Sequence, residues 1–346
     1  MLGMKRVLAA VVLAAVGGLA QADDDVVYFY NWSEYIPDGL LQEFEQETGI
    51  RVIYTTYDSN EAMYAKLKLT GSEGYDLVVP STYYIAKMAE EGMLKPLDKT
   101  QLSNLVHLDP ALLDKEYDPG NHYSLPYIWG ATGIGINTDE VDPATITGWK
   151  DLWDEQWRGE LMLMNDPREV FHMALKILGY SSNSRDPKEI EEAYQLLTEL
   201  MPNALTFNSD NPGAPYAAGD TVLGMIWNGS AFEAQKEDPA INMIYPKEGA
   251  IFWMDNLAVP AGAKNVEAAH KLINFLLRPE VAAKVCEEIG YPTPNKTAKS
   301  LLDKDFAENP MVFPPADVIE AGEFQSDVGE AVEIYDRYWQ RLRTGR

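Results

Sequence analysis

The sequence is short of the residues that most chemistries need. Its 346 residues include one cysteine, Cys286, so no intrachain disulfide can form and the fold rests on its core. Cys286 lies in a helical pattern and reads as a small buried hydrophobe. The four histidines, His107, His122, His172 and His270, are scattered without metal-ligand spacing. No G-x-S-x-G elbow, H-E-x-x-H pair or P-loop glycine–lysine is present. Gly133 and Gly135 lack the third glycine of a dinucleotide loop. No cofactor or metal is therefore expected. Basic residues are also scarce, with 28 Lys and Arg against 54 Asp and Glu and a formal net charge of −26. So acidic a surface repels nucleic-acid phosphates and anionic membranes. Beyond residue 22, no apolar run is long enough to span a bilayer.

What is present begins with an address. Lys5 and Arg6 precede an uncharged apolar run at residues 7–19, then Ala20-Gln21-Ala22 and Asp23-Asp24-Asp25. This is the pattern of a cleavable signal peptide over residues 1–22. No cysteine follows the expected cleavage point, so a lipid anchor is not expected. An exported, untethered chain needs an enclosing compartment, which suggests a periplasm.

The first half of the chain alternates strand and helix. Apolar runs at residues 26–30, 50–55 and 75–79 predict strands, and amphipathic spacing predicts helices at 37–49, 58–69 and 84–91. A second β/α series follows, with strands at 161–164, 222–227 and 242–245 and helices at 168–178, 187–200 and 231–235. Helices are also expected at 266–277, 280–288 and about 328–339. Extended runs at 127–137 and 252–259 are long enough to cross between two lobes. The reading is an α/β protein of two lobes, each a mostly parallel sheet flanked by helices, joined by extended hinge crossovers. The N-terminal lobe is expected at residues 23–131 plus 255–300 and the C-terminal lobe at 132–254 plus 301–346.

In open α/β sheets, ligands bind beyond the carboxyl ends of the strands. The loops there are rich in acids, aromatics and hydroxyls. They carry Trp32, Ser33, Glu34 and Tyr35; Ser81 and Tyr83; Asp166 and Glu169; Trp227; and Trp253 with Asp255. Carboxylates pair with ammonium groups, and aromatic faces pack methylene chains and attract cations. Together these groups suit a flexible amine chain. Asp255, in an otherwise apolar run, is the hardest to read as structural, because a buried charge needs a partner. Asp166 and Glu169 also suit a helix N-terminus, and as a pair they leave a secreted glycosidase open.

The motifs Tyr28-Phe-Tyr-Asn-Trp-Ser-Glu-Tyr, Asp76-Leu-Val-Val-Pro-Ser-Thr-Tyr-Tyr, Leu125-Pro-Tyr-Ile-Trp-Gly-Ala-Thr, Asp166-Pro-Arg-Glu-Val-Phe, Gly224-Met-Ile-Trp-Asn-Gly-Ser-Ala, Phe252-Trp-Met-Asp and Ile289-Gly-Tyr-Pro-Thr-Pro-Asn run through the whole chain in order. They resemble the spermidine/putrescine-binding periplasmic proteins of bacterial ABC transporters, and most closely the spermidine-preferring receptors. The resemblance implies a non-enzymatic, monomeric receptor that closes on spermidine, or more weakly putrescine, and delivers it to a membrane ABC permease. It implies four carboxylates, Glu34, Asp166, Glu169 and Asp255, facing the amines. Trp32, Tyr35, Trp227, Trp253 and Tyr291 would box the methylenes. Ser33, Ser81, Tyr83 and Gln325 would add polar contacts. Tyr291 and Gln325 rest on the resemblance alone. A polyamine sensor of the same fold, and a sugar, amino-acid or ferric-iron receptor, are the alternatives.

Overall fold

The structure, a computed structural model, describes residues 26–33 and 35–344. The signal peptide expected at residues 1–22 and the site candidate Glu34 lie outside the described residues.

Two parallel blocks of sheet arise from the two β/α series. In the first, β1 (Val26–Trp32), β2 (Arg51–Tyr57) and β3 (Leu77–Val78) stand in the order β2-β1-β3. β1 is apolar almost throughout because both of its faces are covered. α1 (Leu40–Thr48) and α2 (Asn60–Leu69) make the crossovers, and α3 (Thr82–Glu90) follows β3. α1 stops at Gly49, whose φ of 73° is a left-handed conformation that suits glycine. β4 (Leu94–Lys95) is a short edge piece. In the second block, β6 (Leu161–Leu163), β7 (Ala204–Phe207) and β8 (Leu223–Trp227) run parallel in the order β8-β6-β7. α4 (Pro167–Leu178) and α5 (Pro187–Leu200) each start from an aspartate cap, Asp166 or Asp186, with proline in the first turn.

Two long strands join the blocks. β5 (Ser124–Asn137) and β10 (Ile251–Pro260) lie side by side and antiparallel. β10 meets β3 on its other edge, and β5 meets β8. β9 (Ile241–Ile244) pairs with β5, and β11 (Glu323–Phe324) with β10. The sheet is therefore mixed: the parallel blocks expected for each lobe are joined by crossovers that are themselves paired strands. Every residue of β10 is buried, so its peptide groups must be paired, and strand ladders do this for a crossover as well as for any other strand. The register of the pair shifts between Asp255 and Asn256, where β5 contains Pro126. Proline has no N–H for the ladder, and the bulge leaves Tyr127 as the extra residue of β5 opposite Asp255 and Asn256.

Other departures from the sequence reading are short or lie at element ends. β7 is a half-exposed strand with little pattern and goes unpredicted. The tail helix runs Val332–Thr344, and the helix expected at 231–235 runs Asn228–Glu237.

One buried carboxylate ties the first block to its covering helices. Asp76 is 2% exposed and accepts from Tyr28 N, Lys264 N, Asn265 N and Asn265 Nδ2 at 2.9–3.0 Å. Asp76→Ala should lower stability by about 2–4 kcal/mol, because buried donors lose their acceptor. Denaturant midpoints measure this, and an unchanged midpoint would refute the role.

Candidate functional site

The carboxyl ends of β1, β3, β6 and β8 meet the middle of β10 around one narrow, nearly closed cavity of about 20 Å³. Ten of the sequence candidates lie along it: Trp32, Tyr35, Ser81, Tyr83, Asp166, Glu169, Trp227, Trp253, Asp255 and Gln325. A wider opening of about 480 Å³ lies nearby, with Asp38, Glu233, Glu237 and Glu288 on its walls. It holds no convergent set of buried acids and aromatics, so the narrow cavity carries the chemistry.

Asp255 anchors the β10 side. Its Oδ2 accepts from Tyr35 OH at 2.7 Å and its Oδ1 from Ser81 Oγ at 2.5 Å. Ser81 also pairs with Asp255 through an isolated backbone bridge. Asn60 supports both hydroxyls, donating to Ser81 Oγ and Tyr83 OH at 2.9 Å and accepting from Ser81 N at 3.0 Å. Asp166 and Glu169 enter from the start of α4. Asp166 Oδ1 caps that helix, accepting from Arg168 N at 2.7 Å and Glu169 N at 3.1 Å. Glu169 is 3% exposed, and its Oε2 is buried without a hydrogen-bond partner. Thr132 and the Trp227 indole lie close enough to pull the Glu169 pKa down against burial, yet Oε2 and Trp227 Nε1 are each without a hydrogen-bond partner.

Five aromatic rings form a closed circuit around these acids. Trp32 meets Tyr35 and Trp227 at 6.2 and 6.5 Å between centroids. Trp227 meets Trp253 at 6.2 Å, Trp253 meets Tyr291 at 5.3 Å, and Tyr291 returns to Tyr35 at 5.6 Å. All five contacts are tilted or edge-on, as aromatic quadrupoles prefer. Trp32 is held by its indole N–H on Val79 O at 2.8 Å, and Trp253 by Thr132 Oγ1 at 3.3 Å. Small residues make room: a Cβ at Gly130 would sit 2.5 Å from the Trp253 ring, and one at Gly229 would collide with Tyr291.

Two candidates take other places. Ser33 stays off the cavity wall and donates to Asp210 Oδ1 at 2.9 Å at an exposed position. Tyr291 closes the aromatic circuit from behind and faces the wider opening, with its OH 3.2 Å from Ser230 Oγ. Sequence reasoning missed Asn60, Thr132 and Arg168. Asn60 and Thr132 have no distinguishing local pattern. Arg168 stands between two predicted site acids in the sequence.

A model of the bacterial extracellular solute-binding protein family matches residues 39–314. The spermidine/putrescine-binding periplasmic protein of Escherichia coli (strain K12) is 57% identical over 343 residues, covering 99% of both chains. Spermidine/putrescine-binding periplasmic protein 1 of Haemophilus influenzae is 48% identical over 94% of this chain and 91% of its own. A solved structure described as a putative spermidine/putrescine ABC transporter from Listeria monocytogenes has 36% identity and a TM-score of 0.89, covering 93% of this chain and 100% of that one.

The chain belongs to the bacterial extracellular solute-binding protein family. The two-lobed fold expected from the sequence is the fold of this family, and the receptors it matches are solute-binding transport proteins. Among the described residues, no helix is long and apolar enough to cross a membrane.

A solute-binding cleft of this kind holds its acids at a cost. Burial pushes Asp255 up to about 7 despite the hydrogen bonds from Ser81 and Tyr35. Burial also raises Glu169, and the neighbouring Asp166 charge raises it further. Asp166 itself is raised by burial, against the pull of two backbone N–H groups and Arg168. Tyr35 and Tyr83 are raised well above the usual phenol range, again chiefly by burial, so they remain donors.

A carboxyl group whose pKa is raised by folding favours the folded state only while protonated. That contribution is complete below the unfolded value of about 4 and is lost as pH rises through the folded value. The ligand-free protein should therefore lose stability between about pH 4 and pH 7, and Asp255→Asn should flatten part of that slope. Thermal melts across the range test this, and identical slopes in both proteins would contradict it.

Proposed function

We propose that this protein captures spermidine, and putrescine more weakly, in the narrow cavity and hands it to a membrane ABC permease. The observation that carries the reading is Glu169 Oε2, a buried carboxylate oxygen without a partner, in a cavity shared with Asp166 and Asp255 and ringed by five aromatics. A buried anion requires a cation, and the rings require something apolar and slim between them. A polyamine supplies both along one chain. The names of the relatives agree with this ligand class.

In this reading Glu34 is the fourth carboxylate facing the amines. The lobes are residues 23–131 with 255–300 and residues 132–254 with 301–346, and they move about the β5–β10 pair. Ser33 on one lobe and Asp210 on the other form a latch at the rim of the closed cleft. A ligand that lands on one lobe gains its remaining contacts only when the other arrives, so binding favours closure. Closure removes water and strengthens each ammonium–carboxylate pair. Putrescine has one amine fewer than spermidine and leaves one desolvated acid unpaired. No bond is made or broken. Asp166 caps its helix through Oδ1, which argues against a free catalytic acid. The chain works as a monomer in the periplasm, freed by cleavage of residues 1–22 and carrying no lipid anchor.

Calorimetry with spermidine and putrescine tests the proposal. Spermidine should bind the more tightly, with a change in Trp fluorescence. Truncating one partner of a buried charge pair costs about 2–5 kcal/mol, so Asp255→Asn should weaken spermidine by roughly tenfold or more. No heat and no fluorescence change with either amine would refute the reading.

A further inference from the structure

Thr82 stands between two cavity residues and is not itself one. Ser81 and Tyr83 line the narrow cavity, whereas Thr82 is 3% exposed and lies off its wall. Its Oγ1 donates to Gln325 O at 2.8 Å, across 243 positions of chain. Gln325 is itself a cavity residue and is buried. Thr82 therefore reaches the site through one hydrogen bond to the backbone of a residue on its wall.

The two ends of that bond belong to different blocks of the sheet. Thr82 opens α3, which follows β3 of the first block. The strap at residues 323–327 is tied to the second block and to β10. Gln325 N donates to Phe252 O at 2.7 Å, and β11 pairs with the start of β10. Asn183, in the loop after α4, donates through Nδ2 to Phe324 O and accepts at Oδ1 from Ser326 N, both at 2.8 Å. Arg168 Nη1 donates to Ser326 O at 3.2 Å, and Arg185 Nη2 to Asp327 O at 2.8 Å. The Arg168 guanidinium also lies 5.2 Å from the ring centre of Tyr83. Two consecutive residues of α3 thus meet the same strap assembly from across the cleft.

We infer that Thr82 is a positioning residue whose hydroxyl holds the cleft shut at the Gln325 strap and so sets how long a ligand stays, without selecting which ligand enters. This rests on the polyamine reading above and on the closure described with it. In the open cleft the hydroxyl and the Gln325 carbonyl both reach water. In the closed cleft both are buried and each satisfies the other, so loss of the hydroxyl leaves a buried acceptor unpaired in the closed form alone. The Ser33–Asp210 contact also crosses the cleft, but it is exposed, and water replaces it at little cost.

Stopped-flow Trp fluorescence on the full chain, with spermidine and with putrescine, gives association and dissociation rates for the parent, Thr82→Val and Thr82→Ser. Thr82→Val keeps the shape and removes the donor. Both amines should then dissociate roughly tenfold faster, a loss of about 1.4 kcal/mol in affinity. Association should stay within about twofold, since the open cleft is unaltered. The ratio of spermidine to putrescine affinity should match the parent's, and Thr82→Ser, which restores the hydroxyl, should return dissociation close to the parent's. If Thr82→Val fails to give a cooperative melt, Thr82→Ala takes its place with the same expectation. A lower melting midpoint with unchanged dissociation marks a merely structural role and overturns the inference. A changed spermidine-to-putrescine ratio places Thr82 on the ligand and overturns it as well. A parent that binds both amines while all variants keep its rates refutes this inference alone; a parent that binds neither refutes the polyamine reading, and the inference falls with it.

Discussion

The structure depends on a conflict between carboxylate charge and burial. Asp255 sits in the middle of the strand that joins the two sheet blocks, so it cannot leave the interior without breaking the sheet. The protein meets this with two hydroxyl donors, Tyr35 and Ser81, themselves positioned by the aromatic ring and by Asn60. They soften the conflict and do not remove it, since burial still raises the carboxyl to about 7. Glu169 is left with less help on the opposite wall. A site held in this state binds cations because binding completes what folding left unfinished.

The rest of the cleft serves to keep those acids in place and out of water. Helix α4 delivers Asp166 and Glu169 together because one aspartate caps its own helix and a proline presets the first turn. The five rings are locked edge to face, and Gly130 and Gly229 leave the space that Trp253 and Tyr291 occupy. The bulge beside Pro126 interrupts an otherwise regular ladder opposite Asp255. These are separate local solutions, and they meet only because β5 and β10 run through both blocks.

Much of this was legible in the chain. The apolar runs and the aspartate–proline helix starts predict most elements, since period and caps are local properties. Candidate acids and aromatics at strand ends predict most of the cavity wall, because open α/β sheets place their loops there. Ser33 is the instructive exception. It lies among site residues in the sequence but turns to Asp210, far along the chain, and no local pattern encodes that partner. Asn60, Thr132 and the unpartnered Glu169 Oε2 are equally invisible, because each depends on what a distant segment brings near it.

The sequence by itself determined the α/β character, the acidic balance and the residue types available at the strand ends. These follow from short-range periodicity and from composition, which need no folded chain. Only the tertiary structure decided that the long runs join one mixed sheet, that five rings close into a circuit, and that Thr82 meets the Gln325 carbonyl. Each is a relation between segments far apart in sequence, set by which backbone groups must be paired and which side chains then share the same desolvated space.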